Sequence, residues 1–148
     1  MEIALGSDEK TKTTDAVVDY LKSQGHEVSL FGALIKTKAG WVDVAKEVAL
    51  AVKNKKADEG ILFCHTGTGM AMVASKIPGI RAVTVTNQKT AKEARAWDHT
   101  NILAFSCFLS ENKTVKIVDT WLKTPYSNDP DDLESINKIE RLEKEFSR

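Results

Sequence analysis

Residues Cys64 to Gly69, Cys-His-Thr-Gly-Thr-Gly, place a thiol, an imidazole, two hydroxyls and two glycines within six positions. The apolar run GILFC, Gly60 to Cys64, precedes them, and a run of small residues follows to Lys76. That order reads as strand, tight turn, helix. The glycines let the backbone turn sharply and approach a bound molecule. The opening N–H groups of a helix lack intrahelical partners and favour an anion at the strand end. No Gly-Lys-Ser/Thr follows, and the Gly-x-Gly-x-x-Gly spacing fails, so neither nucleotide fingerprint is present. A thiol at a helix start is biased toward thiolate. Cys64 so placed can act as a base in a pocket poor in water, with backbone N–H groups stabilising an enediolate. The same position also suits a buried structural cysteine.

The elements that must position this stretch alternate along the chain. Glu2 to Gly6, Val28 to Phe31, Gly60 to Cys64, Arg81 to Thr86 and Ile102 to Phe105 read as strands. Between them lie segments with apolar residues at helical spacing: Val17, Tyr20 and Leu21, stopping at Gly25; Val44, Val48 and Val52; Thr90 to Trp97; and Val115, Val118 and Leu122. Such alternation predicts an α/β fold, a five-stranded parallel sheet between two helix layers, and one domain over 1–148. Ligands of such sheets bind at the carboxyl ends of strands. That selects Ser7-Asp8-Glu9, Cys64 to Gly69, Thr86-Asn87 and the turn after Phe105. A last helix, about 130–147, starts with Asp129 as N-cap and Pro130 as first residue. Its stripe of Leu133, Ile136, Ile139, Leu142 and Phe146 must be buried on the chain's own body or on a partner subunit.

Composition bounds the function. The 148 residues include 42% hydrophobic and 28% charged, an ordinary globular balance. Lys+Arg and Asp+Glu both number 21, so no basic excess advertises nucleic acid. No apolar run is long enough to span a membrane, and no signal peptide is evident at the start. Two cysteines are too few for a disulfide scaffold, and with three histidines they show no zinc spacing, so no metal is assigned. A cytoplasmic protein with reduced thiols is expected.

The chain resembles the ribose-5-phosphate isomerase B and galactose-6-phosphate isomerase family. The resemblance rests on IALGSD (Ile3 to Asp8), GHEVSLFG (Gly25 to Gly32), ADEGILFCHTGTGM (Ala57 to Met70), ASKIPGIRAV (Ala74 to Val83), TNILAF (Thr100 to Phe105) and IVDTWL (Ile117 to Leu122). It implies a Rossmann- or flavodoxin-like α/β/α sandwich and an aldose–ketose isomerase without metal or organic cofactor. It implies that Cys64 moves a proton between C1 and C2 through a cis-enediol, and that Asp8 holds sugar hydroxyls. Thr66, Gly67 and Gly69 match the loop receiving the enediolate oxygens, with Thr68 and Met70 in the same stretch. Asn101 matches an asparagine at the base of the site, and Trp41 an aromatic wall. The resemblance implies a dimer or higher oligomer, here a homodimer or tetramer, whose site lies at the interface and is completed by the neighbouring subunit.

Four departures limit the transfer. Glu9 stands where the family has His after Ser-Asp, and Trp97 stands in the place of the ring-opening histidine. An indole cannot deliver a proton to a ring oxygen. Phe108 replaces an arginine, and Asn128-Asp129-Pro130-Asp131-Asp132 replaces the element that grips phosphate. The cysteine-bearing subunit of galactose-6-phosphate isomerase shows a similar pattern, which implies a hetero-oligomer with a histidine-bearing paralogue. Alternatively the chain acts alone on a different sugar, one lacking a terminal phosphate, one already open-chain, or a short ketose such as a tetrulose phosphate. A silent interaction subunit and a small-ligand binding module are the remaining readings. His65, beside the base, or His99, two residues past Trp97, can compensate for the missing histidine; Lys10 and Lys12 can supply a lost cation. A solvated loop or helix face is the simpler explanation for each.

Overall fold

The computed structural model describes residues 1–147; Arg148, at the end of the expected domain, lies outside the described residues. Strands β1 (Glu2–Ser7), β2 (Glu27–Gly32), β3 (Glu59–Cys64), β4 (Ala82–Thr84) and β5 (Ile102–Ser106) alternate with α1 (Lys12–Ser23), α2 (Trp41–Lys53), α3 (Thr68–Ala74), α4 (Gln88–Asp98) and α5 (Glu111–Lys123). A 3-10 turn, Ala33–Ile35, follows β2, and α6 (Pro130–Phe146) ends the chain.

All pairings are parallel, and the strand order is β2-β1-β3-β5-β4. The α/β class is therefore as expected, but the order departs from the flavodoxin series 2-1-3-4-5 at its far edge. β5 lies inside and β4, cut to three residues, lies outside. The central strands are apolar in succession because both faces are covered: every residue of β3 is buried. Val44, Val48, Met70 and Ala74 pack α2 and α3 on one face. Val17, Leu21, Ala91, Ile117, Val118 and Trp121 pack α1, α4 and α5 on the other.

The turn after α1 uses Gly25 at φ 83°, as its glycine predicts. The α6 start also follows expectation: the Asp129 side chain accepts from the Asp131 N–H at 2.9 Å, with Pro130 first in the helix. Its burial is another matter. Only Ile136 of the stripe is buried; Leu133, Ile139, Leu142 and Phe146 are exposed. The Glu143 carboxylate accepts from the Gly79 N–H at 3.0 Å and fastens the far end of α6 to the loop after α3.

Candidate active site

β1 connects toward one edge of the sheet and β3 toward the other, so their carboxyl ends flank a crevice. Ser7 pairs with Phe63 in the β1–β3 register, which sets Asp8 beside Cys64 one step further on. On the other flank Cys64 pairs with Ser106, so the turn Cys107-Phe108 borders the same crevice.

Cys64 is 7% exposed. Its sulfur accepts the Gly67 N–H at 3.1 Å. The geometry requires glycine at 67. Its φ is 82°, and a Cβ there would lie 2.7 Å from the Phe105 carbonyl carbon. The Cys64 loop is thus laid directly on the backbone of β5. At Gly69 a Cβ would lie 3.0 Å from the Trp41 ring, so the indole stands over the loop. The Thr66 and Thr68 hydroxyls lie 2.7 Å apart on the exposed side of the loop. α3 is only seven residues long, so loop N–H groups rather than a long helix face this end.

Asp8 carries a buried Oδ1 with no hydrogen-bond partner. Burial pushes its carboxyl above the usual range; its own backbone hydrogen bond opposes this, Glu9 adds to it and His65 offsets part. A buried carboxylate oxygen left open is an acceptor waiting for hydroxyl donors. Glu9 is held by its backbone: its N–H donates to Ser7 Oγ at 3.1 Å, and Ser7 Oγ–H donates to the Glu9 carbonyl. Thr11 caps α1 and donates to the Cys107 carbonyl at 2.8 Å, which binds the β1 loop to the β5 turn. Cys107 is buried, and burial followed by the charges of Glu9 and Asp8 pushes its thiol up to about 11. It therefore stays protonated and donates to Glu9 Oε2 at 3.8 Å.

Four of the expected site residues are placed otherwise. Met70 is fully buried in the α2–α3 core, because its position on α3 faces inward. Trp97, His99 and Asn101 precede β5 and so lie at the opposite end of the sheet from Cys64. Five residues of strand separate the two ends, roughly 17 Å. Trp97 is exposed there. His99 is buried, stacked on Tyr126 at 4.4 Å, with Nε2 2.9 Å from the Ser127 carbonyl. Asn101 accepts from the Arg81 N–H at 2.8 Å and donates to the Gly79 carbonyl at 2.9 Å. One chain therefore brings Asp8, Glu9, Cys64 to Gly69 and Trp41 together, and leaves the other three apart. Of the candidate cations, Lys10 is engaged with Asp15 at 2.6 Å and Lys12 is exposed on α1.

Phe108 and Cys107 are contributors that strand spacing alone did not rank. The signal was present in the turn after Phe105, but only the β3–β5 pairing sets it against Cys64. The cavity of about 500 Å³ between β2 and α2, lined in part by Ser29, Phe31 and Leu50, is separate from this crevice. Among the described residues, no three His, Cys, Asp or Glu side chains gather as metal ligands, and no helix is long and apolar enough to cross a membrane.

Comparison with known proteins adds four observations. Residues 3–139 match the protein family described as Ribose/Galactose Isomerase. The chain is 36% identical over 129 residues to a ribose-5-phosphate isomerase B of Listeria innocua, covering 86% of this chain and 87% of that one. It is 30% identical over 145 residues to a D-erythrulose-4-phosphate isomerase of Pectobacterium atrosepticum, covering 96% and 93%. Among solved structures, a ribose-5-phosphate isomerase B of Clostridium thermocellum superposes with a TM-score of 0.92 at 35% identity, over 99% of this chain and all of that one.

Proposed function

The chain belongs to the ribose/galactose isomerase family, and on that premise we propose that it is a cytoplasmic aldose–ketose isomerase of sugar phosphates with Cys64 as its carbon base. The observation that carries this is a sulfur receiving the Gly67 N–H beside the open, buried oxygen of Asp8. A thiolate there takes a proton from the sugar carbon next to the carbonyl. Asp8 accepts the sugar hydroxyls, and Thr66, Thr68 and loop N–H groups receive the developing oxygen charge. Gly69 lets Trp41 close over the sugar chain.

The substrate is short. Trp97, Phe108 and the carboxylates of 129–132 stand where the ribose enzymes carry ring-opening and phosphate-gripping groups. A four-carbon ketose phosphate has no free terminal hydroxyl with which to close the usual ring and needs no ring-opening acid. The likeness to a protein named for D-erythrulose 4-phosphate supports the same reading. A second copy of the chain covers the exposed stripe of α6 and offers Trp97 to the crevice. A histidine-bearing paralogue is the second reading, and the missing histidine at 97 is what favours it.

The test is solvent-proton exchange at C1 and C2, measured with the chain alone on D-erythrulose 4-phosphate and D-ribose 5-phosphate. We expect turnover of the first and little of the second, with sizing at micromolar concentration giving a dimer or larger. Cys64→Ala is expected to lower exchange by 10²- to 10⁴-fold while the protein stays folded. Retained exchange in that variant overturns the base; efficiency near 10⁴ M⁻¹s⁻¹ on ribose 5-phosphate, about the ordinary enzymatic range, overturns the short substrate. Activity only on mixing with a paralogue replaces the first reading by the second.

A further inference from the structure

Isomerisation moves two protons, one between the carbons and one between the oxygens. Cys64 accounts for the first. The second needs a group that can both donate and accept a proton, within reach of O1 and O2. Three strand ends converge on one such group. His65 follows Cys64 on β3, and its side chain is 78% exposed. Its Nδ1 lies 3.7 Å from Oε2 of Glu9, from the β1 loop. Its ring meets the edge of Phe108, from the β5 turn, with centroids 4.9 Å apart.

We propose that His65 carries the oxygen-bound proton between O1 and O2, and that Glu9 is its positioning residue. This rests on the reading of Cys64 as the carbon base. Glu9 is suited to the task in a way Asp8 is not. The Asp8 oxygen is buried and open toward a ligand, whereas Glu9 is exposed and faces His65. Glu9 is fixed at its backbone by Ser7 and at its carboxylate by the Cys107 thiol. With Nδ1 turned to Glu9, Nε2 is the ring atom left for the substrate. The chain lacks histidine at 9 and at 97, and places one at 65 beside a glutamate at 9.

The steps balance without an oxidant or cofactor. Starting from the ketose, the Cys64 thiolate takes a proton from C1, and that electron pair forms the C1–C2 double bond. The carbonyl pair moves to O2, which takes the Nε2 proton. The O1 hydroxyl then returns a proton to Nε2 as the C1–O1 double bond forms. The C1–C2 pair takes the thiol proton at C2.

Two rates separate this role from that of Cys64: entry of solvent deuterium at C1 of D-erythrulose 4-phosphate or D-ribulose 5-phosphate, and formation of the aldose. His65→Gln, and His65→Asn as a second variant, should lower aldose formation about 100-fold or more, while deuterium entry falls less than tenfold. Glu9→Gln should lower kcat about 5- to 20-fold and leave KM within twofold. Cys64→Ala should lower both rates together. Aldose formation within threefold of wild type in folded His65 variants overturns the proposal. So does equal loss of both rates in them, or a Glu9→Gln effect confined to KM. If Cys64→Ala alone keeps its exchange, the carbon-base reading fails instead; if wild type exchanges neither ketose, the proposal falls with that reading.

Discussion

At the amino-terminal end of the sheet, Arg95 lies between the rings of Trp121 and Tyr126, 4.6 and 4.4 Å from their centroids, and pairs with Glu59 at 2.6 Å. Its Nη1 also donates to the Thr100 carbonyl, and Thr100 Oγ1 accepts from the Trp121 indole N–H, at 2.7 and 2.8 Å. At the carboxyl end, Asp8 has an open oxygen, His65 stands in solvent, and the two threonine hydroxyls of the cysteine loop mainly meet each other. The lower end engages its polar groups with the protein's own. The upper end leaves comparable groups for something else. Glu59 Oε2 and Arg95 Nε do lack partners, but their groups are bonded through other atoms to distant parts of the chain, whereas the Asp8 carboxyl is bonded only to its own backbone. Polar burial thus does two jobs in one sheet, and the number of external partners a group still requires tells them apart.

Four substitutions can break or sharpen this contrast. Arg95→Met removes one half of the buried pair and leaves Glu59 uncompensated, which costs about 3–5 kcal/mol. Thermal melting should fall by roughly 6–20 °C, while kcat of the folded fraction stays within threefold of wild type. Gly67→Ala acts at the other end. A left-handed backbone and a clash with β5 should cost about 1–3 kcal/mol, and here kcat should fall well over tenfold, because the loop carrying Cys64 must shift. A calorimetric loss without a kinetic one would show that the loop is not fixed by β5.

His99→Gln tests whether that histidine is structural. It gives up stacking on Tyr126 and the contact with the Ser127 carbonyl, about 1 kcal/mol in denaturant titration, with kcat unchanged. A large kinetic loss would place His99, like Trp97 of the second copy, at the crevice. Asp8→Asn is the smallest in stability and opposite in sign. Because burial raises the Asp8 carboxyl in the folded state, its ionisation weakens the fold as pH rises through that raised value. The amide removes this cost, so melting at pH 7 should rise by about 1–3 °C. The gain should vanish below the ordinary aspartate range, where Asp8 is protonated in both states. Substrate affinity should nevertheless fall roughly 10- to 150-fold.

Much of the upper end was legible because it is local. A strand, a glycine turn and a short helix lie within Gly60 to Ala74, and Asp8 follows the first strand by rule. What depends on strand neighbours was not. Cys107 reads as packing until β5 is known to lie beside β3; only then does its thiol meet Glu9. Arg95 sits in a helix rich in charge, where a solvated face is the natural reading; Trp121 and Tyr126 come from later in the chain and cover it. His99 and Asn101 stand in a stretch where the resemblance implies a place at the base of the site for Asn101, yet both precede β5 and so lie at the opposite end of their own sheet. Met70 follows the glycines of the loop, yet the first turn of α3 already points it into the core.

The strand order bears on how the chain emerges during synthesis. β4 pairs only with β5, and β5 fills the place between β3 and β4. After β3 leaves the ribosome, its free edge must wait for roughly forty further residues, about two to eight seconds at ordinary translation rates. β4 arrives first and can pair with that edge directly, giving the strand sequence of flavodoxin and a sheet that β5 must then reopen. A pause that falls after β4 has left the ribosome and before β5 has should therefore lengthen the life of the wrong pairing and lower the yield of active enzyme.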